Sequence, residues 1–289
     1  MHLLAAQLST ITKNFTSDEA TPMQLFRFQK GYSPLMVSNP HSGTFILPEI
    51  AETMTEAGLE KRDTDWYLSK IYDLPPLESA GMISANLSRY VIDLNRPVDN
   101  QSLYPGQTTT GICPLKTFAG DPIYKPSMEP DEKEVAKRIE HYWQPYHDQL
   151  AAELKRMVDK FGFAVLLDAH SIAQQVPLLF DGDLPDFNFG TNNGQSCGTE
   201  LQKVVEDFSE GIESFSSVVN GRFIGGHITR HYGGMENVHA VQLELNRWTY
   251  LEEETLSWEM ELAAEVIPVI EQFVVTLMKW AESRQAPPS

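Results

Sequence analysis

The sequence predicts an α/β fold: a single domain with a mixed, largely parallel sheet and helices on both faces. Three observations predict it. Short apolar runs rich in β-branched residues recur along the chain, long helical stripes alternate with them, and no linker or internal repeat divides the two halves. Residues 22 to 283 are therefore expected to form one domain, with an N-terminal extension over 1 to 21 and a tail over 284 to 289.

Strands are expected at Leu35 to Ser38, Met82 to Ala85, Tyr90 to Leu94, Phe163 to Leu167 and Ala240 to Leu245, each of strand length and bounded by polar or turn residues. A short helix is expected around Asp63 to Tyr72, opening on an acidic first turn. A long one should cover Asp131 to Lys160, where Val135, Ile139, Tyr142, Tyr146, Leu150, Leu154 and Met157 recur three or four apart; Pro145 should kink it and Gly162 stop it. A second runs from Glu254 to Ser283 with Pro268 inside. Both stripes read as core faces.

Forty acidic residues against 22 basic ones give a net charge of −18, which opposes binding to nucleic acid or to anionic membrane surfaces. The expected partner is small, and an anionic one needs arginines placed locally against that field. Only Cys113 and Cys197 are present, without C-x-x-C spacing, as expected of a reducing compartment. Met1 to Ala20 carries no basic, apolar leader pattern, and Glu271 interrupts the longest C-terminal apolar stretch; a cytoplasmic chain is expected.

Open α/β sheets place their sites at the carboxyl ends of strands. The run ending at Ser38 leads into Asn39-Pro40-His41-Ser42-Gly43, and the run ending at Leu167 leads into Asp168-Ala169-His170-Ser171. Either histidine alone is as readily a hydrogen-bonded loop residue; the repeated arrangement makes His41 and His170 candidate ligands of one metal. A catalytic zinc takes three protein ligands from His and Asp/Glu and leaves one position for water, so a carboxylate is needed. Asp65 is the candidate, with Asp63 and Glu49 as rivals, although from position alone capping a helix explains Asp65 better.

In Ala240 to Asn246, Val241, Leu243 and Leu245 share one face and Gln242, Glu244 and Asn246 the other. Either this is an edge strand facing water, or the polar face lines a cleft and Glu244 is a candidate general base. Arg89 and Arg96 bracket one run, while Arg230 and Arg247 flank the approach to Glu244 and the exit from it. One or two of these could grip substrate carboxylates bidentately; the alternative is that they pair with local acids such as Asp93.

Two patterns carry less. Gly194-Gln195-Ser196-Cys197-Gly198 matches G-x-S-x-G, but its lead-in, Asp186 to Asn193, does not read as the buried strand that a nucleophile elbow needs. His227 and His231 have helical metal spacing, yet Gly225-Gly226 and Gly233-Gly234 enclose them, so strand or loop is expected there.

Pro34 to Ser42, Thr64-Asp65-Trp66, Ser88 to Pro97, Asp168 to Ser171, Gly226 to Arg230 and Gln242 to Asn246 together resemble the N-formylglutamate amidohydrolases over most of the chain. The resemblance implies a fold similar to the zinc exopeptidases, other phosphorylase/hydrolase-like folds and N-acetylmuramoyl-alanine amidases. It also implies Zn2+, or another divalent transition metal, on His41, Asp65 and His170, with Glu244 activating water to cut N-formyl-L-glutamate in histidine degradation. Arg230 or His231 would steady the oxyanion, and Arg89 and Arg96, with Asn95 and Arg247, would bind a small anionic substrate. Two alternatives stand beside it: an amidase or carboxypeptidase on other N-acyl amino acids, and a non-catalytic protein that binds acidic ligands.

Overall fold

The structure is a computed structural model that describes residues 24–101 and 110–284. The N-terminal extension and all but one residue of the expected tail lie outside the described residues, as do the first two residues of the expected domain.

Seven strands form one sheet: β1 (Phe26–Gln29), β2 (Leu35–Asn39), β3 (Gly81–Ala85), β4 (Ala164–Ile172), β5 (Phe187–Gly190), β6 (Ser217–Val219) and β7 (Val238–Asn246). Their spatial order is β1-β3-β2-β4-β7-β5-β6. The central four, β3, β2, β4 and β7, run parallel, whereas β1 joins β3 antiparallel and β5 joins β7 antiparallel. The sheet is thus mixed and largely parallel, as expected.

The helices are α1 (Pro48–Ala51), α2 (Glu56–Glu60), α3 (Leu68–Ile71), α4 (Glu132–Arg138), α5 (Gln144–Phe161), α6 (Thr199–Glu210), α7 (His227–Gly233) and α8 (Met260–Arg284). No helix among the described residues is long and apolar enough to cross a membrane.

Strand alternation sorts the core into two layers. Val165, Leu167 and Ala169 of β4, with Val241, Leu243 and Leu245 of β7, pack against α6 and α8 through Leu201, Val205, Ile270, Phe273 and Leu277. On the other face Ala164 and Leu166, with Val238 and Ala240, meet Leu150, Leu154 and Met157 of α5. That second face continues along the same two strands as Asp168 and His170, and as Gln242 and Glu244, all of them buried. Where the helix-covered apolar face gives way to these polar residues, at the carboxyl ends of the parallel strands, the fold has room for chemistry.

Several expected elements differ. Tyr90 to Leu94 is a chain of turns and not a strand: its apolar side chains are buried in the second layer, and its carbonyls are met by side chains, Tyr124 Oη on Tyr90 O and Arg138 Nη1 on Val91 O. The helix expected over Asp131 to Lys160 is interrupted by a π-helical turn at Ile139–Trp143 that leads without a break into α5, and Pro145, which has no N–H to donate, stands just after that turn. Asp131 caps α4 by accepting from Glu134 N, and Gly162, at φ +84°, ends α5 as expected.

The last helix begins at Met260, after a small hairpin of β8 (Leu251–Glu252) with β9 (Ser257–Trp258). The helix expected around Asp63 shrinks to α3, with Asp63 to Trp66 in turns. His227 to Gly233 is helical, contrary to the strand or loop expected there. Its first turn lacks a local side-chain cap; Asn95 Oδ1, far away in sequence, accepts from Ile228 N instead.

Candidate metal centre and active site

His41 emerges from β2 into a turn, and its carbonyl accepts from Asp65 N at 3.0 Å, which ties the turn carrying Asp65 to the end of the strand. His170 lies within β4, because that strand runs beyond the expected end at Leu167 to Ile172. Asp65 Oδ2 accepts from Ser171 N at 3.1 Å, so both neighbouring strands fix the carboxylate.

The three residues converge. His41 Nδ1 and His170 Nδ1 are 3.2 Å apart, and Asp65 Oδ2 lies 3.3 Å from the His170 nitrogen and 3.8 Å from that of His41. Tetrahedral zinc with bonds of about 2.0–2.1 Å would set its ligand atoms roughly 3.3 Å apart, so the spacing fits such an ion. Among the described residues, these three can hold a metal ion, their ligand atoms lying within 4.8 Å of one another. The rivals do not join them: Asp63 Oδ2 accepts from Phe118 N, and Glu49 is exposed on α1.

The charge balance points the same way. Asp65, Asp93, Asp168 and Glu244 are all buried around the cluster, where Arg89 stands against Asp65 and Asp93. Burial opposes a charge on His170, yet Asp168 and the hydrogen bond with Asp65 carry its pKa well above the ordinary imidazole value. Burial and Arg89 lower that of His41. Buried carboxylates need a compensating cation; a dication at the three ligand atoms would supply it.

Glu244 stands beside His170 in the sheet, their Cα positions paired across β4 and β7. β7 is an interior strand, which settles the choice between edge and cleft: the polar face lines a cleft of about 60 Å³. Burial pushes the Glu244 carboxyl up to about 8, against the pull of His170 and with the help of Asp65. Gln242 donates its Nε2 to Glu244 Oε2 at 3.4 Å and accepts at Oε1 from Gly226 N at 2.7 Å.

The cleft is also lined by His41, Asn95, Arg89 and Arg96, and by the apolar side chains of Phe118, Ile172, Leu179 and Phe223. Arg96 borders it while bonded to Thr110 and to its own neighbour's carbonyl. Arg89 is held by acids, as the alternative of local pairing anticipated: Nη2 meets Asp93 Oδ2 at 2.9 Å and Nη1 lies 3.6 Å from Asp65 Oδ1.

Arg247 does not line the cleft; it donates to the carbonyls of Arg62 and Thr64 and pairs with Glu253. Neither Arg230 nor His231 lines it either. Arg230 Nε donates to Gly225 O, and His231 is exposed and stacked on His227.

Sequence reasoning passed over Asp168 and the apolar rim, and named Asp93 only as an arginine partner. The alternation that exposed Glu244 also places Asp168 on the His170 face. Asp93 sits in the segment expected as a strand. The G-x-S-x-G serine is excluded on other grounds than expected: a buried strand, β5, does lead into it, but Ser196 is itself buried and donates to Ala240 O.

The family model described as N-formylglutamate amidohydrolase matches residues 33–251. An N-formylglutamate deformylase of Pseudomonas aeruginosa is 43% identical over 265 residues, covering 91% of this chain and 99% of the relative. One of Pseudomonas putida is 41% identical over 263 residues, covering 90% and 98%. The fold matches the crystal structure of an N-formylglutamate amidohydrolase from Ralstonia eutropha at a TM-score of 0.76 and 21% identity, over 90% of this chain and 99% of that one. A gene product of Agrobacterium tumefaciens matches at 0.69 and 16%, over 90% and 97%. The chain is thereby placed among hydrolases that cut a carbon–nitrogen amide bond. Within that class it belongs to the N-formylglutamate amidohydrolase family.

Proposed function

We propose that this chain hydrolyses the formyl C–N bond of N-formyl-L-glutamate to formate and L-glutamate, with a divalent metal, zinc first, on His41, Asp65 and His170. The carrying observation is the convergence of those three ligand atoms beside Glu244 in a cleft, and the names of the two Pseudomonas relatives support the substrate. Bound there, such an ion supplies Lewis acidity toward a carbonyl oxygen and toward water near neutral pH.

The chain's own groups do the rest. Glu244 takes a proton from the attacking water at its carboxylate and returns it to the departing amine nitrogen, a task suited to a carboxyl whose burial raises its proton affinity above the ordinary carboxylate value. His41, Asp65 and His170 hold their geometry through the strands that carry them. Arg96 attracts a substrate carboxylate at the cleft, and Asn95 lines the same wall. Phe118, Leu179 and Phe223 limit water around the reacting bond.

The same proposal includes a catalytic domain over residues 22 to 283, kinship with zinc exopeptidase folds, a cytoplasmic setting and a place in histidine degradation. Release of the free amino acid from N-formyl-L-glutamate, N-acetyl-L-glutamate and N-formyl-L-leucine tests the substrate. The formyl dianion should be strongly preferred; equal rates on the neutral side chain would contradict the reading.

A further inference from the structure

We propose that Asp93 is the positioning residue for His41: it fixes the tautomer that carries hydrogen on Nε2 and turns Nδ1 toward Asp65 and His170, while Arg89 holds Asp93 and Asp65 in register. The proposal rests on the metal reading above.

His41 Nε2 lies 2.6 Å from Asp93 Oδ1, and both residues are buried. Asp93 also accepts from Asn95 N at 2.9 Å and from Arg89 Nη2 at 2.9 Å. A carboxylate receiving those two donors is ionised and can only accept, so the shared hydrogen belongs to His41 Nε2. The Nδ1 lone pair is then left for the cluster, 3.2 Å from His170 Nδ1. With hydrogen on Nδ1 instead, an N–H would point into the cluster while Nε2 faced a carboxylate without a donor.

Arg89 completes the device. Its two terminal nitrogens reach different carboxylates, Nη2 that of Asp93 and Nη1, at 3.6 Å, that of Asp65. One planar guanidinium therefore spans a metal-ligand carboxylate and the carboxylate behind His41. The backbone keeps Asp93 in place, with its N–H donated to Ile112 O at 2.7 Å. His170 differs: its Nε2 lies 3.1 Å from Asp168 Oδ1 but also 3.0 Å from the donor Asn95 Nδ2, so these contacts do not fix its tautomer as Asp93 fixes that of His41. Outer carboxylates of this kind raise ligand basicity and typically change metal affinity by about 10–100-fold.

The test uses the full chain with isotope-labelled histidine, loaded with the spin-active isotope of cadmium, and follows zinc affinity by chelator competition. In the unaltered protein, His41 should show a slowly exchanging hydrogen on Nε2 and coupling to cadmium through Nδ1. Coupling through Nε2 would overturn the proposal without needing any variant. Asp93→Asn should weaken zinc binding by about 10–100-fold and speed exchange of the His41 ring hydrogen. Unchanged affinity and exchange in a folded Asp93→Asn chain would remove Asp93 from this role and leave the metal reading standing. An unaltered chain that takes up neither ion would sink both.

Discussion

Glu244 and His170 stand directly across from each other in the parallel ladder between β4 and β7. Side chains on one face of neighbouring strands lie close together, so the pairing delivers a carboxylate beside an imidazole that faces Asp65 and His41. The ladder itself sets the distance from candidate base to candidate metal, and both side chains stand on rigid strands.

Glu244→Gln preserves shape and removes the proton acceptor. Turnover should fall by about 10²–10⁴-fold while metal content stays at the unaltered level, read by elemental analysis beside a formate assay. Retained turnover would give the base role to another group.

Metal binding should be steeply pH-dependent. His170 is held protonated well above the usual imidazole range in the absence of an ion, and Glu244 titrates at about 8, so an incoming cation must displace protons. Lower pH favours the protonated site and weakens binding; each proton released makes affinity rise about tenfold per pH unit until that group has titrated. Calorimetry in buffers of different ionisation enthalpy counts those protons, and a count of zero at pH 7 would contradict the electrostatics.

Arg96 and Arg247 should separate in their effects. Arg96→Ala, at the cleft wall, should raise KM for the anionic substrate by about 10–100-fold, the loss of one charged hydrogen-bonded contact. Arg247→Ala should instead lower stability by about 1–3 kcal/mol, since it holds the turn before Asp65 through Arg62 O and Thr64 O. A larger KM change for Arg247 than for Arg96 would reverse this assignment.

Gly226→Ala tests the packing behind His170. A Cβ there would lie 2.4 Å from Asn95 Nδ2, forcing aside the side chain that contacts His170 and caps α7. Activity should drop about tenfold or more and stability by about 1–3 kcal/mol. Melting and turnover unchanged from the unaltered chain would mean that Asn95 relaxes freely.

His41, His170 and Glu244 were legible because their signals are local: a buried run ending in a histidine, and strict alternation exposing one polar face. The parallel central sheet was legible for the same reason. Asp93 was not, because Tyr90-Val91-Ile92 has a strand's composition and burial but finds its hydrogen bonds in Arg138 and Tyr124. Helix α7 was hidden because its cap comes from Asn95, 133 residues away, while the flanking glycines read as breakers. Arg89 illustrates the limit most clearly: position along the chain left it between a substrate clamp and a partner of local acids such as Asp93, and the fold sets both Asp93 and Asp65 against its guanidinium.

The most direct test of the central claim is formate release from N-formyl-L-glutamate by one preparation measured as purified, after exhaustive chelation, and after return of one equivalent of zinc. The account predicts activity lost on chelation and restored by zinc in the unaltered chain, with no restoration in His170→Ala. Full turnover by chelated, metal-free protein would contradict it.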